Sequence, residues 1–191
     1  MHPATVAYLA LAGLAIVLAF GERLYARRNE IRILGEGGEE VAPAVFRWMA
    51  PVYILQFPAC VVEHLLLHRR PAPLLGAAMA ILFLLAKGLK FWAIANLRDA
   101  WTMKVILPRR FRVVSGGPYR FLRHPNYLAV IVELAALPLA GGALYTALAV
   151  AASFFPLLAL RIRTEEAALL ARPGYAEAMG GKRRLIPSGR R

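Results

Sequence analysis

The chain is short of charge, of acid and above all of cysteine. Of its 191 residues 18% are charged and 59% hydrophobic, with a mean hydropathy of +0.53. Soluble domains average nearer a quarter charged and half apolar, and one this small has too much surface for its volume to hide the excess. A soluble globule is therefore excluded, and lipid becomes the solvent. The single cysteine, Cys60, lies within an apolar run, which excludes a disulfide framework and a cysteine metal site. Acids are outnumbered, 11 Asp and Glu against 24 Lys and Arg. Such a balance raises nucleic-acid binding, but these charges flank apolar runs instead of lining a helix face. We expect them to anchor and orient the chain in a membrane, with no nucleic-acid partner. No Lys or Arg precedes the first apolar run, Val6–Phe20, whereas Arg23, Arg27 and Arg28 follow it. That is the reverse of a secretory signal and describes a retained first span.

Long apolar runs are what the chain has in quantity. Spans are expected at Pro3–Gly21, Val45–Leu67 and Ala72–Ile94, each near the roughly 20 residues a hydrocarbon core requires. A polar stretch, Glu22–Pro43, separates the first two, and a turn, His68–Pro71, separates the second from the third. Ala95–His124 is polar, basic and broken by Pro108 and Gly116-Gly117-Pro118. The apolar signal resumes from Pro125 to Leu160, too long for one span and barely enough for two. It reads as a helical hairpin with two short arms turning at Gly141-Gly142. Beyond Arg161 a separate helix is expected over Thr164–Ala171, with Thr164 as N-cap and acids in its first turn. A second piece lies at Tyr175–Met179, followed by a basic tail with Pro187. The expected fold class is an all-α integral membrane protein of about five transmembrane helices. Residues 1–86 would form an N-terminal unit of helices and loop, and 87–191 a core of loop, hairpin and C-terminal segment.

The hairpin returns the chain to one face, so two polar segments become neighbours. One is Ser115-Gly116-Gly117-Pro118-Tyr119-Arg120-Phe121-Leu122-Arg123-His124-Pro125-Asn126-Tyr127; the other is Arg161-Ile162-Arg163-Thr164-Glu165-Glu166. Together they suit a zwitterionic, adenosine-bearing cofactor. Glycine backbone permits close approach, and Tyr119 and Tyr127 offer flat faces to an adenine or a sulfonium. Glu165 can accept from an ammonium group, and Arg161 can grip an anionic acceptor in two-pronged fashion. Methyl transfer from a sulfonium needs mainly positioning.

The pattern Gly-x-Tyr-Arg-x-x-Arg-His-Pro-x-Tyr, a membrane hairpin, then Arg-x-x-x-Glu-Glu resembles the isoprenylcysteine carboxyl methyltransferase superfamily over about residues 87 to 187. The resemblance implies an S-adenosylmethionine-dependent methyltransferase with a cytoplasmic cofactor pocket at the last hairpin. By position, the cofactor would be held by Arg112, Val113, Val114, Tyr119, His124, Pro125, Asn126, Tyr127 and Glu165, and Arg161 would meet the acceptor. The chain departs from the family at Phe111, where a histidine is common, at Ala129, where glycine is, and after Tyr175, where a second tyrosine is missing. Phe91-Trp92-Ala93-Ile94, Trp101-Thr102-Met103-Lys104 and Glu133 are similar to bacterial enzymes that O-methylate alkylpyrones and alkylresorcinols. The implied partners are a lipophilic small-molecule acceptor and membrane lipid, with no metal. An isoprenylcysteine carboxylate or an amine lipid is the alternative acceptor. The rival outside enzymes is a small structural or transport subunit, but the paired, interrupted spans of a transporter are not found.

Four features have competing structural explanations. Glu165 and Glu166 suit a helix first turn, and Arg161 suits an interfacial anchor. Glu133, within the hairpin's first arm, is either functional or paired with Lys87 or Lys90, the reading we prefer. Glu63, His64 and His68 read as an interfacial patch, since no third ligand accompanies the histidine pair.

Orientation follows from the arginine bias: four arginines after the first span and seven basic residues in Ala95–His124, against Arg69 and Arg70 on the other side. This places the C-terminus in the cytoplasm of what we expect to be a bacterial cell. A reporter fused after Arg191 should be cytoplasmic and one inserted at Arg69-Arg70 external; both on one side would contradict five spans.

Overall fold

The computed structural model describes residues 1–186, so Pro187 and the rest of the tail lie outside the described residues. Six α-helices follow in order: α1 Pro3–Gly35, α2 Pro43–Leu67, α3 Pro73–Leu97, α4 Pro125–Ala140, α5 Leu144–Leu170 and α6 Tyr175–Met179. Helices α1, α2, α3 and α5 are long and apolar enough to cross a membrane; α4, at 16 residues, is a shorter apolar helix. Large apolar side chains such as Val17, Phe20, Ile54, Leu66, Leu85 and Leu148 face outward. With backbone bonds satisfied inside each helix, that exterior belongs in lipid, and the chain is an all-α integral membrane protein. Pro51, Pro58, Pro138 and Pro156 sit inside helices, as membrane helices tolerate.

Because lipid offers no hydrophobic drive between helices, small residues and polar contacts must hold them together. Helices α3 and α4 pack most extensively, with Phe83 of α3 sharing a buried cluster with the small Ala136 and with Leu137 of α4. Inside this bundle lie four charges. Lys87 Nζ reaches Glu22 Oε1 at 2.7 Å and Glu133 Oε2 at 3.2 Å; Lys90 Nζ reaches Glu22 Oε2 at 2.6 Å and Glu133 Oε2 at 3.2 Å. Glu133 thus pairs with both expected lysines, and Glu22 completes a neutral quartet.

The expected boundaries fail in two places. Helix α1 does not stop at Gly21 but runs 33 residues to Gly35, about 50 Å at 1.5 Å per residue. Glu22, Asn29 and Glu30 are polar because they point into protein partners, not because the segment is a loop. Helix α5 likewise runs unbroken through Thr164, so the second arm is not short and Thr164 is not an N-cap. Its hydroxyl instead bonds back to the carbonyls of Leu160 and Arg161, satisfying itself within the helix. Both helices overshoot the bilayer on one side and wall the space described below.

At the opposite end, Glu63 and His64 are not an interfacial patch. Glu63 accepts from the backbone N–H groups of Tyr145 and Thr146 at 2.9 and 2.7 Å, and from the Thr146 hydroxyl, capping α5 from another helix. His64 meets the Gly141 carbonyl and Thr5, whereas His68 is exposed. A two-residue antiparallel pairing joins β1, Glu39–Glu40, to β2, Ile106–Leu107.

Replacing Glu133 by Gln should leave two buried lysines sharing one carboxylate and destabilise the protein by about 3–5 kcal/mol, as for other broken buried pairs. Replacing Lys87 by Met and Glu133 by Leu together keeps the Lys90–Glu22 pair and should cost much less. Thermal unfolding in detergent checks this; equal losses would show that packing, not pairing, matters there.

Candidate functional site

A cavity of about 980 Å³ opens between the overshooting ends of α1 and α5, the 97–114 segment and the start of α4. Its lining includes Arg112, Val113, Val114, Tyr119, His124, Asn126, Tyr127, Arg161 and Glu165. Nine of the ten sequence-selected residues therefore share one space. The tenth, Pro125, does not line it: it is the fully buried first residue of α4, where a fixed φ and a missing N–H suit the helix start.

The geometry centres on the Tyr127 hydroxyl. Arg161 Nε donates to it at 2.7 Å, and it donates to Glu165 Oε2. Arg161 and Glu165, four apart on α5, reach the same atom because that spacing puts them on one helix face. Arg161 Nη2 donates to the Met103 carbonyl, and no hydrogen bond within the described residues uses Nη1. Arg161 is 6% exposed, and its guanidinium packs over the rings of Tyr127 and Phe46 at 5.4 and 5.9 Å. It is not an interfacial anchor reaching for water.

The acidic pair divides its work. Glu166, which sequence reasoning left out of the site, does not line the cavity. It binds His124 Nε2 and Arg123 Nη1 at 3.1 Å each and Arg184 Nη2 at 2.6 Å. His124 in turn stacks on Tyr127, ring centroids 5.3 Å apart. The tail supports the same stretch: the N–H groups of Arg123 and His124 donate to the carbonyls of Arg183 and Arg184. His124 occupies the N-cap position of α4 without a side-chain cap bond; its ring is committed to Glu166 and Tyr127.

Tyr119 sits on a 3₁₀ turn, Gly117–Arg120, entered with φ +55° at Gly117. A side chain at Gly117 would collide with Asn96, so glycine is required twice over. Burial, aided by the Glu165 charge, raises the Tyr119 pKa; burial and the two glutamates push Tyr175 up to about 12. Both are neutral phenols at physiological pH, able to donate hydrogen bonds. Three buried polar atoms on lining residues have no partner among the described residues: Asn126 Oδ1, Trp101 Nε1 and Arg123 Nε.

The sequence also left unassigned the other wall: Arg32, Ile33 and Glu36 from α1, with Trp101, Leu169, Tyr175 and Met179. Only the aromatic character of Trp101 and Tyr175 offered a signal. A second groove of about 740 Å³ lies alongside, lined by Phe46, Arg47, Ala50, Pro51, Ile54 and Leu55 of α2 with Glu40 and Lys104. Lys104 lines both spaces and pairs with Glu40 at 2.8 Å.

Comparison of the sequence with known proteins gives the family. Residues 77–171 match the family described as isoprenylcysteine carboxyl methyltransferase (ICMT). The chain is 31% identical over 160 residues to the uncharacterized protein YpbQ of Bacillus subtilis, covering 83% of this chain and 94% of that one. It is 36% identical over 92 residues to an uncharacterized protein of Haemophilus influenzae, covering 48% of this chain and 53% of the other. From the matched half, the membrane helices and the long alignment with YpbQ, the chain belongs to the isoprenylcysteine carboxyl methyltransferase family, a family of membrane methyltransferases.

Proposed function

We propose that the protein is an S-adenosylmethionine-dependent O-methyltransferase whose acceptor is a lipophilic molecule drawn from the bilayer. The observation that carries this reading is the convergence of nine selected residues on one cavity, where the Tyr127 hydroxyl is shared by Arg161 and Glu165. The residues present fit the cofactor. The cavity volume is at the upper end for small-molecule sites, about 300–1,000 Å³, leaving room for an acceptor head. The unpaired Asn126 Oδ1 is a vacant acceptor for an N–H group, Glu165 offers a carboxylate to an ammonium, and Tyr119 offers a neutral hydroxyl. When bound, the cofactor supplies an electrophilic methyl group.

The remaining chemistry belongs to the chain. Among the described residues of the motifs, Tyr119 and Tyr175 keep their protons, Tyr127 and Glu165 are bonded to each other and His124 to Glu166, which leaves none of them free as a general base. An acceptor that ionises by itself, an enolic or phenolic hydroxyl or a carboxylate, fits that deficit. We assign Nη1 of Arg161, which makes no hydrogen bond among the described residues, to hold the anion, and orientation supplies the rate. A long-chain pyrone or phenol is the acceptor we favour; an isoprenylcysteine carboxylate is the second reading, favoured by the family itself. The α2 groove supports access from lipid, since its apolar lining, with Ile54 and Leu55 exposed, leads to Lys104 and to Phe46 beside Arg161. The arginine bias argues for a cavity facing the cytoplasm of a bacterial cell.

Purified protein should bind S-adenosylhomocysteine in calorimetry and transfer labelled methyl from S-adenosylmethionine to pentadecylresorcinol. Glu165→Gln should weaken cofactor binding by about 1.5–3 kcal/mol, the range for a hydrogen bond to a charged group. Unchanged affinity in a folded variant would reduce the glutamate to a support for Tyr127.

Arg161→Lys should lower turnover far more than cofactor affinity, because a point charge cannot bridge Tyr127, Met103 and an anion as a planar fork does. Each methylene removed from the acceptor should raise its apparent KM about fourfold while the tail remains buried, following roughly 0.8 kcal/mol per methylene. A water-soluble acceptor used as well as a long-chain one would refute access from the membrane.

A further inference from the structure

We propose that Glu30, on the part of α1 that overshoots the bilayer, is a positioning residue for methyl transfer. It fixes Arg161 through a single peptide group. The inference rests on the reading of Arg161 as the group that meets the acceptor. It concerns a residue outside the family-matched segment, 77–171.

The peptide between Met103 and Lys104 lies between two buried charges. Its N–H, that of Lys104, donates to Glu30 Oε1 at 3.2 Å, and the Met103 N–H donates to the same oxygen at 3.1 Å. Its carbonyl, that of Met103, accepts from Arg161 Nη2. Because the peptide unit is planar, holding the N–H end at Glu30 sets the direction of the carbonyl at the other. Both contacts are charge-assisted, the stronger kind, and a carboxylate behind the N–H polarises the carbonyl toward the guanidinium. Arg161 Nε is meanwhile on Tyr127, so the plane of its fork is set from two sides and Nη1 is aimed by what remains.

Glu30 is placed for this and little else. It is buried, with Oε2 held by Arg23 Nη1 at 2.8 Å. Its neighbours on α1 hold other parts of the 97–114 segment, the strap over this end of α1: Asn29 Nδ2 donates to the Trp101 carbonyl at 2.8 Å and Arg32 Nη2 to the Asp99 carbonyl at 2.7 Å. Those contacts place the strap, whereas the carboxylate orients the one peptide that touches Arg161.

The test uses the full-length protein in detergent, with S-adenosylhomocysteine as cofactor probe. The acceptor is pentadecylresorcinol, or N-acetyl-S-farnesylcysteine if the wild type prefers it. Glu30→Gln should bind S-adenosylhomocysteine within twofold of wild type while kcat/KM for the acceptor falls at least tenfold. Glu30→Asp should recover part of that loss. On an Arg161→Lys background, Glu30→Gln should lower kcat/KM by less than threefold further, since coupled residues are not additive. Losses that multiply, or an equal loss of S-adenosylhomocysteine affinity, would overturn the proposal. If the Gln variant does not fold, hydrogen exchange on the wild type decides: slow amides at Met103 and Lys104 support it, fast ones overturn it. A wild type that neither binds S-adenosylhomocysteine nor methylates either acceptor would refute the parent reading, a result separate from failed coupling.

Discussion

A guanidinium removed from water must be given partners, and the partners Arg161 takes determine how the active end of the molecule is assembled. It draws on the strap at Met103, on α4 at Tyr127, and on the ring of Phe46 from α2. One side chain thus ties three elements to α5, none of them adjacent to it in sequence except α4. Leaving a buried charge without such contacts is far more costly than any single contact gains, so these elements close around it or not at all. The wall of the cavity and the position of its central hydroxyl follow from that one requirement.

The quartet of Glu22, Lys87, Lys90 and Glu133 does comparable work deeper in the bundle. Two lysines and two glutamates sum to zero charge, each cation within 3.2 Å of both anions. Such an arrangement adds little net stability over a well-packed apolar core. Its effect here is register: α1, α3 and α4 can slide against one another only by exposing a charge to lipid. Small residues between α3 and α4 permit close approach at many offsets; the charges select one. The overshoot of α1, and the depth at which Asn29, Glu30 and Arg32 meet the strap, are set by the same registration.

Much of this was legible. The apolar runs located the helices, and the charged Glu133 inside one of them pointed to Lys87 and Lys90. Arg-His-Pro-x-Tyr before the hairpin and Arg-x-x-x-Glu-Glu after it marked the segments that meet. What stayed hidden shares a physical cause. Asn29, Glu30 and Arg32 bind backbone carbonyls and amides some seventy residues away, and backbone partners leave no trace in side-chain pattern. Glu22 looked like the first residue of a loop because its partners lie 65 and 68 positions on. Adjacent Glu165 and Glu166 could not be told apart, since only the turn of α5 sends one to Tyr127 and the other to His124, Arg123 and Arg184. Thr164 carried an N-cap signature that the continuing helix overrode.

The brevity of α4 has a consequence for where the reaction space lies. Sixteen residues span about 24 Å, against a hydrocarbon thickness of about 30 Å. The far end of α4 is level with its neighbours, since Gly142 abuts the Arg69 carbonyl and Pro71, and Gly76 abuts Ala140. The whole deficit of roughly 6 Å therefore falls on the end carrying His124 and Tyr127. By that length argument the floor of the cavity would be sunk toward the depth of the acyl chains while its mouth stays in water. Mobile salt ions do not follow it there, and unscreened fields act over longer distances than at a wet surface. On the function proposed above, an acceptor bringing its ionised head to Arg161 would move sideways more than upward, and its tail need never cross the headgroup layer.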